Sequence, residues 1–219
     1  FSLKRANPIG AFMNLRKYPK LIGLVVAVFL LYTASHAVHS NWSYFTMYKF
    51  NWDEKMVGIS LGAIGLLVGI VQGGLIRVIN PKLGNEKSIY VGMALYTVGM
   101  FLFATATQSW MMFAFLIPYC LGGIAGPAMQ AVISSQVPAN EQGEIQGTLS
   151  SLMSASAIIG PPMMSTVFYY FTHKEAPFQF AGAPFVLGGI LMLMSTIIAY
   201  FSFRNKQSIS NTNNDYNNL

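Results

Sequence analysis

The sequence predicts an all-α membrane protein of six transmembrane helices, and three observations carry that prediction. Hydrophobic residues make up 53% of the chain and charged ones only 9%, and the mean hydropathy is +0.48, a balance foreign to most soluble domains. Six separate apolar stretches are long enough to cross a hydrocarbon core of about 30 Å. No Asp, Glu, Lys or Arg falls in the middle of any of them; the seven acids lie in loops, at helix ends or in the tail. The net charge of +6 does not indicate nucleic acid, because the basic residues flank apolar spans and form no compact basic domain.

Residues 1 to 20, FSLKRANPIGAFMNLRKYPK, hold five of the thirteen Lys and Arg and no acid. With Ile9, Phe12 and Met13 to one side, they read as a short interfacial helix leading into the bilayer, or as a surface lipid-binding peptide. No cleavable signal peptide is evident, and Phe1 reads as a cut end. The first span covers about Leu21 to Ser40 and contains His36 and His39, which share a helix face with Tyr32 and Ser40. Histidines three apart could share a metal or relay a proton. No third ligand of matching spacing accompanies them, and the span places both near its outer end, so a hydrogen-bonding role at the extracellular mouth is expected of them and no metal site.

The second span, about Met56 to Ile79, carries glycines at 58, 62, 65, 69 and 73, a stripe suited to close helix packing. Gln72 lies beside it as a candidate for the cavity wall. Arg77 stands at the cytoplasmic end of this span, where it snorkels or pairs with Glu86 or with the first turn of the fifth helix in one transport state. The third span runs from about Ile89 to Ala106. The fourth, about Trp110 to Val137, places Tyr119, Gly123, Gly126, Pro127, Gln130 and Ser134 on one face. A buried amide in lipid must find partners, so Gln130 either bonds a neighbouring helix or faces water and solute. The lone Cys120 lies in an apolar run and gives neither a disulfide framework nor a zinc spacing.

Glu144 to Phe171, EIQGTLSSLMSASAIIGPPMMSTVFYYF, is the fifth span. Its 28 residues reach about 42 Å, and Glu141 and Glu144 suit the positive end of its helix after Asn140, a plausible N-cap. Gly147, Ser150, Ser151, Ser154, Ile158, Pro161 and Ser165 share one face, with Ser156 opposite. That small, hydroxylated face is either a packing seam or a solute-lining wall. Pro161 and Pro162 remove two backbone donors, which predicts a kink or break about halfway. The sixth span is about Pro184 to Phe203, and the Asn-rich tail 205–219 reads as disordered. Six spans put both termini on one side. Residues 1 to 20, the loop between spans two and three and the tail carry ten of the thirteen Lys and Arg, so that side is cytoplasmic by the positive-inside rule. Phosphate loops, a nucleophile elbow, HExxH and paired catalytic carboxylates are missing, and nothing in the sequence points to an enzyme.

Three runs, FSLKRANPIGAF, NWDEKMVGISLGAIGLLVGIVQGGLIRVINPKLGNEK and GGIAGPAMQAVISSQVPANEQGEIQGTLSSLMSASAIIGPPMM, together resemble the C-terminal half of the tetracycline:proton antiporters of the major facilitator superfamily. The resemblance covers residues 1 to 204. It implies helices seven to twelve of a twelve-helix transporter of the bacterial inner membrane, with residues 1 to 20 as the end of the central cytoplasmic loop and 21 to 204 as the six-helix bundle. The implied partners are the missing N-terminal six-helix half, the lipid bilayer and a small-molecule drug, free or as a metal complex. No cofactor and no nucleic acid are implied. The implied function is proton-coupled efflux of tetracycline-like or other amphipathic drugs; a facilitator for a different solute and a truncated, non-transporting membrane module are the alternatives. Gln130, Ser151 and Ser154 fall where the family lines its central cavity. Well-known members carry a His in helix eight and an Asp in helix nine that serve coupling, and the runs GISLGAIGLL and VGMAL put Val68 and Tyr96 at those places here. The essential protonatable residue is therefore expected outside this chain.

Overall fold

A computed structural model of the chain describes residues 18–176 and 178–217. The interfacial helix expected in the first twenty residues falls almost wholly outside that part. Six helices long and apolar enough to cross a membrane follow one another. Helix α1 (Pro19–Phe50) opens on a proline, whose missing N–H and fixed φ suit a first turn, and closes at Asn51 with φ 52°. It runs ten residues past the predicted end at Ser40, because Trp42 and Phe45 in its last third are buried in the bundle. Burial outweighs the polar composition of that segment.

Helix α2 (Glu54–Leu83) starts at Asp53, whose carboxylate accepts the Met56 N–H at 2.8 Å. Its ladder widens to a π-turn over Val71–Leu75, a local feature found often at functional sites. Gly84, at φ 76°, makes the turn into α3 (Asn85–Thr105). Helix α4 (Ser109–Ser135) is interrupted between Gly122 and Ala125. Pro127 has no N–H to give the Gly123 carbonyl four residues back, and the chain tightens there with Gly123 N–H bonding Cys120 O at 3.0 Å.

Helix α5 (Gln142–Thr172) contains both Pro161 and Pro162 and is nonetheless continuous. Of the predicted kink or break, no break occurs: the helix runs through both prolines, and the interruption lies instead in α4, which combines Pro127 with two successive glycines. Helix α6 (Ala183–Asn217) continues through most of the segment predicted to be a disordered tail. Extending an existing helix costs little once α6 has nucleated it.

Helix α1 is central and packs on α6, α5 and the second half of α4, while α3 packs on α4 and α6 and α2 stands at the margin against α4 and α1. Two apolar clusters fill the bundle. One, at the end holding Leu21 and Phe203, joins α1, α3, α4, α5 and α6; the other, around Trp42, Phe45, Phe103 and Phe185, fills the opposite end. The hydroxyl of Ser195 on α6 donates to the Ala27 carbonyl of α1 at 2.6 Å, and Trp42 Nε1–H donates to Ser60 Oγ of α2 at 2.8 Å.

The glycine stripe of α2 does not pack within this chain. A Cβ added at 58, 62, 65, 69 or 73 would meet nothing within 4 Å, because the helix leans on the bundle through a neighbouring seam that includes the buried Val57, Ser60 and Val71. Close approach is made elsewhere. A Cβ on Gly99 of α3 would lie 2.9 Å from Tyr119 Cα, and one on Gly188 of α6 would lie 2.9 Å from Ala37 Cβ. Gly99→Ala should therefore cost about 1–3 kcal/mol through overpacking against backbone that has no room to move. Gly143→Ala, where the space is open, should be neutral. Thermal denaturation of the two variants in detergent checks this, and equal melting temperatures would contradict it.

Candidate functional site

A cavity of about 170 Å³ opens between α1, α2, α3 and α4. It lies between the two apolar clusters, because Tyr96, which lines it, packs against both. From α1 come Tyr32, Ser35 and His39, from α2 Val68 and Gln72, from α3 Tyr96, and from α4 Tyr119, Cys120 and the Gly123–Pro127 segment. Each irregularity of the backbone contributes here. The π-turn of α2 carries Gln72, and the interruption of α4 places Gly123, with no side chain, where a Cβ would sit 3.7 Å from the Tyr96 hydroxyl and 3.9 Å from Gln72 Nε2. Non-helical backbone at membrane depth is tolerated where it is buried in protein or lines a cavity.

The wall is aromatic and amide in character. The Tyr96 and Tyr119 rings meet edge to face at 5.1 Å, and Tyr119 meets Phe103 of the Trp42 cluster at 5.5 Å. Gln130 resolves one of the sequence's open alternatives: its Nε2 donates to the Tyr32 hydroxyl at 2.7 Å, so the amide bonds a neighbouring helix and ties α4 to α1 beside the cavity. Ser35 is satisfied by the Tyr32 carbonyl at 2.7 Å.

His36 and His39 stand near the middle of α1, which runs on to Phe50. Their rings are 6.0 Å apart, edge to face. They face different surroundings. A Cβ on Gly160 of α5 would lie within 2.9 Å of His36 ring and Cβ atoms, so His36 is seated against α5, while His39 lines the cavity.

The remaining candidates lie elsewhere. Ser151 and Ser154 bond their own backbone, at the carbonyls of Gly147 (2.9 Å) and Ser150 (3.0 Å). With Ile158, 74% exposed, they form a face of α5 turned out of this bundle, so the face is not a packing seam within the chain. Ser156 opposite is buried, as its phase predicts. Arg77 is exposed and, at five residues beyond Gln72, stands about 7.5 Å further along α2. At the end near the chain termini, Tyr18 donates to the Glu141 carboxylate at 2.6 Å. That bond, followed by the other effects of its surroundings, pushes the phenol above its usual range. Among the described residues no group of three His, Cys, Asp or Glu comes together as a metal site would require.

Tyr32, Ser35 and Cys120 were not among the predicted cavity residues. Tyr32 carried a usable signal, since it shares the helix face of His36 and His39. Val68 and Tyr96, which the resemblance puts at the positions of the coupling residues, both line the cavity.

An all-helical bundle of six apolar spans with a cavity between its two apolar clusters defines a multi-pass membrane protein. The family model of the Major Facilitator Superfamily matches residues 7–216, and the chain belongs to that superfamily. It is 36% identical over 83% of its length to the tetracycline resistance protein, class E, of Escherichia coli, covering 44% of that relative. It is 31% identical over 76% of its length to the class C protein of the same organism, covering 42% of it. A more distant relative, hippocampus abundant transcript-like protein 1 of Homo sapiens, is 22% identical over 91% of this chain. The chain thus spans less than half the length of these relatives.

The Gln130–Tyr32 bond gives a direct test of the wall. In a double-mutant cycle of Gln130→Ala and Tyr32→Phe, the coupling should be about 0.6–1.7 kcal/mol, the range for polar contacts between membrane helices. Thermal stability of the four proteins measures it, and strict additivity would show that the two side chains do not meet.

Proposed function

We propose that this chain is the C-terminal half of a secondary transporter that exports tetracycline-like amphipathic drugs in exchange for protons across a bacterial inner membrane. The observation that carries the reading is the cavity. It is built at mid-depth from four helices, with a lining of tyrosines and one amide, the apolar-with-few-polar character that suits a flat, amphipathic molecule. The relatives named for tetracycline resistance support the substrate class, and their greater length supports a second six-helix half. In this reading the exposed serine face of α5 and the glycine stripe of α2 look toward that half. The two bundles rock about the cavity between them. Both ends of this chain are cytoplasmic, as the ten basic residues on that side support.

One bundle offers only one wall, so residues 1–219 alone should export nothing. Expressed with a complementary N-terminal half, they should restore tetracycline efflux from everted vesicles; efflux by this chain alone in liposomes would overturn the reading. In the full-length transporter, Gln130→Ala should change the order of preference among exported drugs while leaving the amount of protein in the membrane within about twofold, since the lost bond is worth about 1 kcal/mol. Immunoblotting alongside a panel of efflux rates separates the two effects. A variant that fails to accumulate would assign Gln130 to packing alone.

A further inference from the structure

Most polar groups of the cavity wall are phenols, hydroxyls and an amide, which keep one charge state through the physiological pH range. His39 differs, because imidazole unperturbed titrates near pH 6.5. In the part of the wall that this chain supplies, His39 is exposed. It shares the lining with Ile64, Val68 and Gln72 of α2, which carry no ionisable group, with the Tyr96 phenol of α3, and with the Tyr119 phenol and Cys120 thiol of α4. On its own helix are Tyr32 and His36, with the His36 ring 6.0 Å away. Among the described residues that line this cavity there is no carboxylate, ammonium or guanidinium. His39 is therefore the one group in this chain's part of the wall whose ordinary charge change falls between about pH 5 and 8.

In an exchanger of drug for protons the two occupy the cavity in turn, and we propose that His39 is the residue of this chain that holds the proton, which puts a coupling group inside this chain and not only outside it as the sequence suggested. The inference rests on the transport reading above. In the empty cavity the neutral imidazole takes a proton from water; when a drug enters, it displaces that water and the imidazolium returns its proton to the side from which the drug came. No bond other than N–H is made or broken, and one proton moves per drug. His36 limits the count to one, because two imidazolium rings 6.0 Å apart in a poorly screened wall repel each other. It is seated against Gly160 of α5 and does not line the cavity, so it acts on His39 as a neighbour and binds no drug. The position near the middle of α1 suits the role, since a residue between the two apolar clusters is reached from either side as the bundles rock.

The test uses the full-length transporter reconstituted in liposomes, with tetracycline as the probe. Two transport modes are compared for the parent, His39→Gln and His39→Glu: exchange of labelled for unlabelled drug at equal pH, and accumulation driven by an imposed pH gradient. Expected is that His39→Gln lowers gradient-driven accumulation at least tenfold more than it lowers exchange, and that His39→Glu recovers part of the gradient drive with a displaced pH profile. Gradient drive intact in His39→Gln would overturn the proposal, and so would loss of exchange in both variants, which marks a structural role. A parent that exchanges no tetracycline refutes the substrate reading instead. In that event the proton-binding claim is judged by NMR titration of the ¹³C-labelled histidines in the parent, assigned with His39→Gln. A His39 signal that moves between pH 5 and 8 supports it, and one that stays neutral throughout overturns it.

Discussion

The bundle depends on how closely helix α1 can be approached. In lipid there is no hydrophobic drive between helices, so association rests on van der Waals contact and on polar groups that find partners. α1 is held from one side by α6, where Gly188 brings the backbone against Ala34 and Ala37 and Ser195 bonds the Ala27 carbonyl. From another side it is held by α5, where Gly160 receives the His36 ring. Fixed on both flanks, α1 turns its remaining face to α2, α3 and α4. That face carries Tyr32, Ser35 and His39, and the cavity exists because it is left uncovered.

The same rule explains where the backbone departs from regular helix. A continuous α-helix satisfies its own donors and acceptors, which is why all six spans are helical in a solvent that offers no alternatives. The departures are at Val71–Leu75 in α2 and at 123–124 in α4, and both border the cavity. In α4 the cause is covalent, since Pro127 has no N–H for Gly123. Removing that one bond and the glycine side chain together makes room beside Tyr96 and Gln72. In α5 two prolines produce no comparable opening, so proline content alone does not locate a functional irregularity.

Not every small-residue face is a seam of the same kind. The glycines of α3, α4 and α6 that meet neighbouring helices lie inside this chain's own packing, whereas those of α2 from Gly58 to Gly73 meet nothing. The hydroxyls of Ser151 and Ser154 on α5 are likewise turned to their own backbone and away from this bundle. The chain covers less than half of its relatives' length and leaves these two faces uncovered.

The sequence by itself determined the membrane class, the six spans and their order, because hydropathy over about twenty residues is a local sum that tertiary contacts hardly change. The motif runs also identified the superfamily, which the family model bears out. Of the residues that line the cavity it singled out Gln72 and Tyr119, since polar or aromatic groups on small-residue faces are legible from helical phase. Tertiary structure decided the rest. The length of α1 turned on the burial of Trp42 and Phe45 by other helices. Which of the two histidines reaches the cavity was decided by α5, whose Gly160 lies against the one and not the other. A helical period gives the direction of a side chain about its own axis; what stands in that direction depends on neighbours far away in the chain.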